Sequence, residues 1–189
     1  MNASLPLPVS SAEPAPGFLA PLAIVLGCVA LAARPTVLPA AGAVFVAAGT
    51  IGALIPVPNP GATRPRSSGL GWIAVAAIGV ATFAAARVVA PPLPQPATWL
   101  AAGATMGAAC AEEIFFRRLV YGLLARWGDG VAIIGAAAAF GVVHIPAYGA
   151  HALPVDLAAG MLLGWQRWAT GGWTAPAATH AAANILQLL

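Results

Sequence analysis

Thr98-Trp-Leu-Ala-Ala-Gly-Ala-Thr-Met-Gly-Ala-Ala-Cys-Ala-Glu-Glu-Ile-Phe-Phe-Arg117 is the stretch on which the reading of this chain turns. Its first fourteen residues carry no charge, and a membrane-spanning helix needs about 20 mostly apolar residues. Yet Glu112 and Glu113 stand side by side inside it. A carboxylate at the centre of a spanning helix costs roughly 2.5–3.5 kcal/mol even on the lenient insertion scale. Two together persist only if they are well paired or do chemistry. The whole chain holds five acidic residues, and two of them are placed here.

The composition around this stretch supports a membrane setting. Of 189 residues, 60% are hydrophobic and 7% charged, whereas a soluble domain carries about 25% charged residues. The chain therefore lacks the charged skin of a water-soluble globule. Apolar runs at about 18–33, 36–57, 69–90, 98–125, 131–147, 152–168 and 173–189 predict an all-α, polytopic integral membrane helix bundle of about seven transmembrane helices. Residues 1–17 read as a retained polar N-terminal tail, because no basic residue precedes the first apolar run. Residues 18–97 read as N-terminal transmembrane helices without an assigned role.

The net charge of +3 comes from arginines scattered along the chain. That is not the clustered basic footprint of a nucleic-acid-binding protein, so no nucleic-acid partner is expected. The expected surroundings are the lipid bilayer of the cell membrane. Arg64, Arg66, Arg118, Arg126 and Arg167 fall on one side of alternating spans, against Arg34 and Arg87 on the other. By the positive-inside rule this favours a cytoplasmic N-terminus and an outward C-terminus. Cys28 and Cys110 lie in apolar runs and read as small buried hydrophobes.

Three polar clusters interrupt the C-terminal half, each on its own expected helix. In Glu112-Glu113-Ile-Phe-Phe-Arg117, spacing four puts Glu113 and Arg117 on one helix face as an ion pair. Glu112 points about 100° away and is left without a counter-ion on its own helix. The second cluster is Phe140-Gly-Val-Val-His144, with Phe140 read as packing that walls the site. The third is His180-Ala-Ala-Ala-Asn184, again with both polar groups on one face. At about 1.5 Å per residue, Glu112 and His144 lie roughly 22 and 21 Å from one connecting loop, and His180 and Asn184 roughly 12 and 18 Å from the next. Those depths overlap well inside the membrane.

A glutamate next to a histidine in such a layer can activate water as a general base. A second histidine and an asparagine amide can donate hydrogen bonds to an oxyanion. The same residue types leave a zinc version open, with Glu112, His144 and His180 as ligands and a water on the metal. No His-Glu-x-x-His zinc helix occurs in the chain. Buried Glu and His also build proton relays, so a proton-coupled transporter is a further alternative, as is a non-catalytic scaffold. Transporters commonly show two related halves, and this chain shows no internal repeat. Gly160 and Gly164 read as a small-residue packing face. Asp156, His151, Gln166 and Arg167 read as solvated or interfacial.

At these residues the chain resembles the CPBP family of intramembrane glutamate-dependent endopeptidases, which groups CAAX prenyl proteases with bacteriocin-processing and immunity proteins and is also called Abi. The family pattern of Glu-Glu-x-x-x-Arg, Phe-x-x-x-His and His-x-x-x-Asn stands intact and in order as Glu112 to Arg117, Phe140 to His144 and His180 to Asn184. The resemblance covers about residues 98–189, which it marks as the catalytic core, with the active site inside the C-terminal four helices. It implies that Glu112 and His144 activate water while His180 and Asn184 stabilise the oxyanion, with Glu113, Arg117 and Phe140 in support. It implies no cofactor, a zinc-dependent form being the alternative. The implied partner is a membrane-associated peptide or protein substrate, lipidated in some members. A non-catalytic immunity protein on the same fold is the remaining alternative.

Overall fold

The structure, a computed structural model, describes residues 18–35, 41–57, 69–89 and 98–188. The N-terminal tail and the connection carrying Arg64 and Arg66 lie outside the described residues. The part of the orientation argument that rests on those two arginines lies there too.

Helix order is α1 (Leu19–Ala33), α2 (Ala41–Leu54), α3 (Gly69–Val89), α4 (Trp99–Glu113), a π-helical segment (Ile114–Val120), α5 (Tyr121–Leu124), α6 (Asp129–Tyr148), α7 (Leu153–Thr170) and α8 (Thr174–Leu186). No strand occurs among the described residues, as the all-α expectation required. Helix ends follow local chemistry. The Thr98 hydroxyl caps α4 by accepting from the Ala101 amide at 3.1 Å. Helix α7 stops at Gly171, whose φ of 68° suits a residue without a Cβ.

Polarity in the bundle is inverted relative to a water-soluble protein. Helix α3 buries only Ala76 and Gly79, while its Leu70, Ile73, Ile78, Val88 and Val89 are exposed. The interior instead holds Glu112, Glu113, Arg117, His144, Gln166, Arg167, Thr179 and His180. Apolar surface facing outward is stable only against an apolar solvent. By length and composition α3 and α6 are the two helices, among the described residues, able to cross a membrane, and α1 and α2 are shorter apolar helices.

Small residues let the helices close on one another. Helix α4 packs against α2 and α8, α6 against α1 and α7, and α3 lies along α7 and α8. A Cβ on Gly160 would stand 2.9 Å from the Ala137 Cα, and one on Gly164 would stand 3.2 Å from the Ile133 side chain. The expected packing face is therefore the α6–α7 contact. Helix α2 approaches equally closely: a Cβ on Gly52 would lie 2.9 Å from the Ile114 carbonyl and the Phe115 Cα.

Three expectations need correction. The single span over 98–125 is not one regular helix, because the backbone widens into the π-helical segment directly after Glu113. Phe115, Phe116, Arg117, Leu119 and Val120 are all buried there, so this segment meets several neighbouring helices. Phe115 meets Gly27 of α1, Phe116 packs edge-on to Phe140 of α6, and Arg117 reaches Gly160 of α7. Wide π turns of this kind concentrate at functional sites.

Gln166 and Arg167 are not interfacial either, since both are buried. The Gln166 amide donates to the Val75 carbonyl at 2.8 Å and to the Thr179 hydroxyl at 2.9 Å, tying α3 and α8 to α7. Arg167 donates to the Arg117 carbonyl at 3.0 Å. Polar groups in an apolar bundle are costly unless they bond one another, and such bonds join helices. Arg118 likewise donates to the carbonyls of Gly52 and Ile55 at the end of α2. Cys110 is exposed rather than buried, and Cys28 is half-buried.

The Gly52 contact has a direct test. Gly52→Ala should destabilise the detergent-solubilised protein by about 1–3 kcal/mol through overpacking. Gly107→Ala, on the open side of α4 with nothing within 4 Å of the added carbon, should be neutral or gain up to about 1 kcal/mol in helix propensity. Thermal unfolding of the two variants beside wild type reads the difference.

Candidate active site

Both glutamates sit at the last turn of α4, where the π-helical segment begins, and both are buried. Their surroundings differ. Glu113 lies 3.1 Å from the Arg117 Nε, the i,i+4 pair read from the sequence, and neither side chain has exposed surface. Arg117 also donates from Nη2 to the Gly160 carbonyl at 3.3 Å. Its guanidinium carbon stands 4.8 Å from the centre of the Phe140 ring. A third member joins this pair, for the His180 Nδ1 approaches Glu113 Oε1 to 2.8 Å.

Glu112 faces a separate set of groups. The His144 Nε2 is 3.9 Å from its Oε1, and the His180 Nε2 is 3.8 Å from its Oε2. The Arg34 Nη1 is 3.8 Å from Oε1. These separations exceed hydrogen-bond length, so the carboxylate is surrounded without being locked to any of the three. The spacing argument that left Glu112 without a counter-ion on its own helix holds, but α1 supplies one from outside. The available signal was Arg34 itself, which fell on the minority side of the orientation count. A charge that fits the interface poorly is a candidate for the interior.

Hydrogen bonding settles the histidine geometry. The His144 Nδ1 lies 2.7 Å from the Phe140 carbonyl. A carbonyl only accepts, so Nδ1 carries the proton, and the neutral ring presents its Nε2 lone pair on the Glu112 side. The ring is held between Phe140, 4.3 Å away between centroids, and Tyr148, stacked at 5.6 Å. Phe140 also touches His180 at 5.7 Å, so it walls both histidines as expected for packing. His180 gives its Nδ1–H to the Glu113 carboxylate and turns Nε2 toward Glu112.

Asn184 lies one turn beyond His180 on α8 and is half-buried. Its amide donates to the Thr105 carbonyl of α4 at 3.2 Å. That uses one of its two N–H donors and leaves the other. The structure thus gathers Glu112, Glu113, Arg117, Phe140, His144 and His180 by direct contact, and ties Asn184 to α4 instead.

Sequence reasoning missed Tyr148, Arg34 and Asp156. Tyr148 follows His144 by four residues, so helical spacing alone could have found it. Asp156, expected to be solvated or interfacial, is half-buried, with Oδ2 buried and without a hydrogen-bond partner. It interacts electrostatically with His144, Glu112 and Arg34. His151, by contrast, is exposed on the turn before α7 as expected.

Among the described residues no three His, Cys, Asp or Glu side chains are arranged to hold a metal ion. Glu112, His144 and His180 nonetheless carry donors of the right kind, with both Nε2 atoms within 3.9 Å of the carboxylate.

An outwardly apolar helix bundle enclosing a glutamate between two histidines defines a class of membrane protein with a buried polar site. Residues 94–186 match the family model described as type II CAAX prenyl endopeptidase, Rce1-like, and through that segment the chain belongs to the CPBP, or CAAX protease, family. It is thus a membrane protein of a family of peptide-bond hydrolases. No curated protein and no solved structure matches the chain. Helices α1 to α3 precede the matched segment.

The two glutamates should respond differently to the same change. Glu113→Gln leaves Arg117 without its buried carboxylate, and breaking a buried pair costs about 3–5 kcal/mol. Glu112→Gln breaks no hydrogen-bonded pair and should cost less than half of that. Melting temperature and size-exclusion profile in detergent distinguish them, with Glu113→Gln the variant that loses folded protein.

Proposed function

We propose that this chain is a multi-pass intramembrane endopeptidase of the cell membrane that hydrolyses a membrane-associated protein or peptide by direct attack of water. The observation that carries the reading is the convergence of two imidazole Nε2 atoms on one buried carboxylate, 3.9 and 3.8 Å from Glu112. Each ring is held through Nδ1 by a separate acceptor, Phe140 O for His144 and Glu113 for His180. Neither ring can turn Nε2 away without breaking that bond.

In this reading Glu112 and His144 bind one water, and Glu112 takes its proton as general base. The water oxygen attacks the scissile carbonyl carbon, a C–O bond forms, and the carbonyl oxygen becomes an oxyanion. The His180 Nε2–H and the second N–H of the Asn184 amide stabilise that oxygen. Donation from both nitrogens of His180 requires a doubly protonated ring, for which Glu113 supplies the counter-charge. Collapse of the intermediate breaks the C–N bond, and the proton held by Glu112 passes to the leaving amine. One water is consumed and no covalent enzyme intermediate forms. Phe140 and Tyr148 shield the histidines and limit further entry of water. All seven helical stretches cross or enter the bilayer in this reading, with the N-terminus in the cytoplasm.

The experiment is cleavage of a quenched peptide library, with lipidated and unlipidated members, by the purified full chain. Glu112→Ala and His144→Ala should abolish turnover. Asn184→Ala should lower kcat by about 10²–10³, the usual effect of losing one oxyanion donor. Unchanged cleavage by Glu112→Ala would sink the mechanism. With water activated by Glu112 and His144 alone, a chelator should leave the rate unchanged, and loss of activity restored by Zn²⁺ would replace this mechanism with the metal one.

A further inference from the structure

Arg34 stands outside the three motifs and outside residues 94–186, at the end of a helix to which the sequence assigns no role, yet it ends beside the reacting carboxylate. The side chain is buried. Its Nη1 donates to the Leu31 carbonyl of its own helix end at 3.1 Å, and its guanidinium carbon lies 5.6 Å from the centre of the Phe45 ring of α2. Helices α1 and α2 therefore anchor it. Its charge acts on two acids from other helices: Glu112 of α4 at 3.8 Å, and Asp156 of α7 through an electrostatic interaction.

The other nearby arginines are engaged differently. Arg117 is in close contact with Glu113, and Arg118 bonds the carbonyls that end α2. Asp156 has one buried oxygen with no hydrogen-bond partner and interacts with Glu112, His144 and Arg34. Two like charges in reach of each other repel. Removing Arg34 would take away the cation common to both acids and let the Glu112 carboxylate turn from the histidines.

We infer that Arg34 is a positioning residue for Glu112: from α1 its charge, 3.8 Å from Oε1, draws the Glu112 carboxylate toward His144 and His180, so that the N-terminal helices complete the site. This rests on the peptidase reading above.

The test compares full-chain wild type, Arg34→Gln, Arg34→Lys and Glu112→Gln on the cleaved peptide, with melting temperatures for the singles and for the Arg34→Gln/Glu112→Gln double variant. Arg34→Gln should lower kcat by about tenfold or more with KM within about threefold, the signature of lost transition-state stabilisation. Arg34→Lys keeps the charge and should recover part of that loss. The double variant should fall less in melting temperature than the two singles summed, as contacting residues do. An Arg34→Gln enzyme as fast as wild type, or a loss that Lys does not relieve together with additive melting temperatures, overturns the inference and leaves the peptidase reading intact. A wild type that cleaves nothing overturns both. Where Arg34→Gln fails to fold, Arg34→Lys decides: reduced kcat with KM kept supports the role, and wild-type kcat overturns it.

Discussion

A carboxylate and a guanidinium with no access to water must be kept in contact, and the Glu113–Arg117 pair imposes that requirement on the rest of the bundle. Several features answer to it. Gly160 lets α7 come close enough for its carbonyl to receive Arg117. Phe140 offers its ring face to the guanidinium, where a cation is attracted to the aromatic quadrupole. Arg167 bonds the backbone carbonyl of Arg117 within the π-helical segment. His180 completes the Glu113 carboxylate from α8. Helices α6, α7 and α8 are registered against α4 and the π-helical segment by the partners of a single ion pair.

That registration separates two tasks within adjacent residues. Glu113 meets Arg117 and His180 at close range and fixes the frame, while Glu112 is surrounded at longer range. The hydrogen bonds at the two Nδ1 atoms aim both Nε2 atoms at the same carboxylate. A second polar seam, from Gln166 to Thr179 and the α3 carbonyls at Val75 and Ala76, holds α3 against α7 and α8. Helix α3 thus presents an apolar outer face while being fastened from within by a few hydrogen bonds. The N-terminal helices are part of the same construction, since α2 meets the π-helical segment at Gly52 and α1 brings Arg34 to Glu112.

Much of this was readable along the chain because it is local. Charge scarcity and apolar runs point to a helical bundle, and the helices begin and end close to where Pro, Gly and Arg punctuate the sequence. Spacing four identifies the Glu113–Arg117 pair, and the ordered recurrence of Glu-Glu, His and His falls within residues 94–186, the segment that matches the family. The π-helical turn left no such trace, because a run of bulky residues does not distinguish an α turn from a wider one. Asp156 and Arg34 were misread for a related reason. Each stands near the end of an apolar run, where a charge by default belongs at the interface. Gln166 and Arg167 repeat the error on α7.

What the sequence determined, then, was the set of helices, the burial of charge within them, and the internal pairing of one glutamate. Those follow from helical periodicity and from the cost of placing charge in an apolar medium, both legible within a single segment. Only the tertiary structure decided which nitrogen of each histidine faces Glu112, that Asn184 bonds to α4, and that α1 brings Arg34 to within 3.8 Å of the Glu112 carboxylate. Those relations join residues far apart in the chain. They depend on which small residues let which backbones approach, and helical spacing carries no record of that.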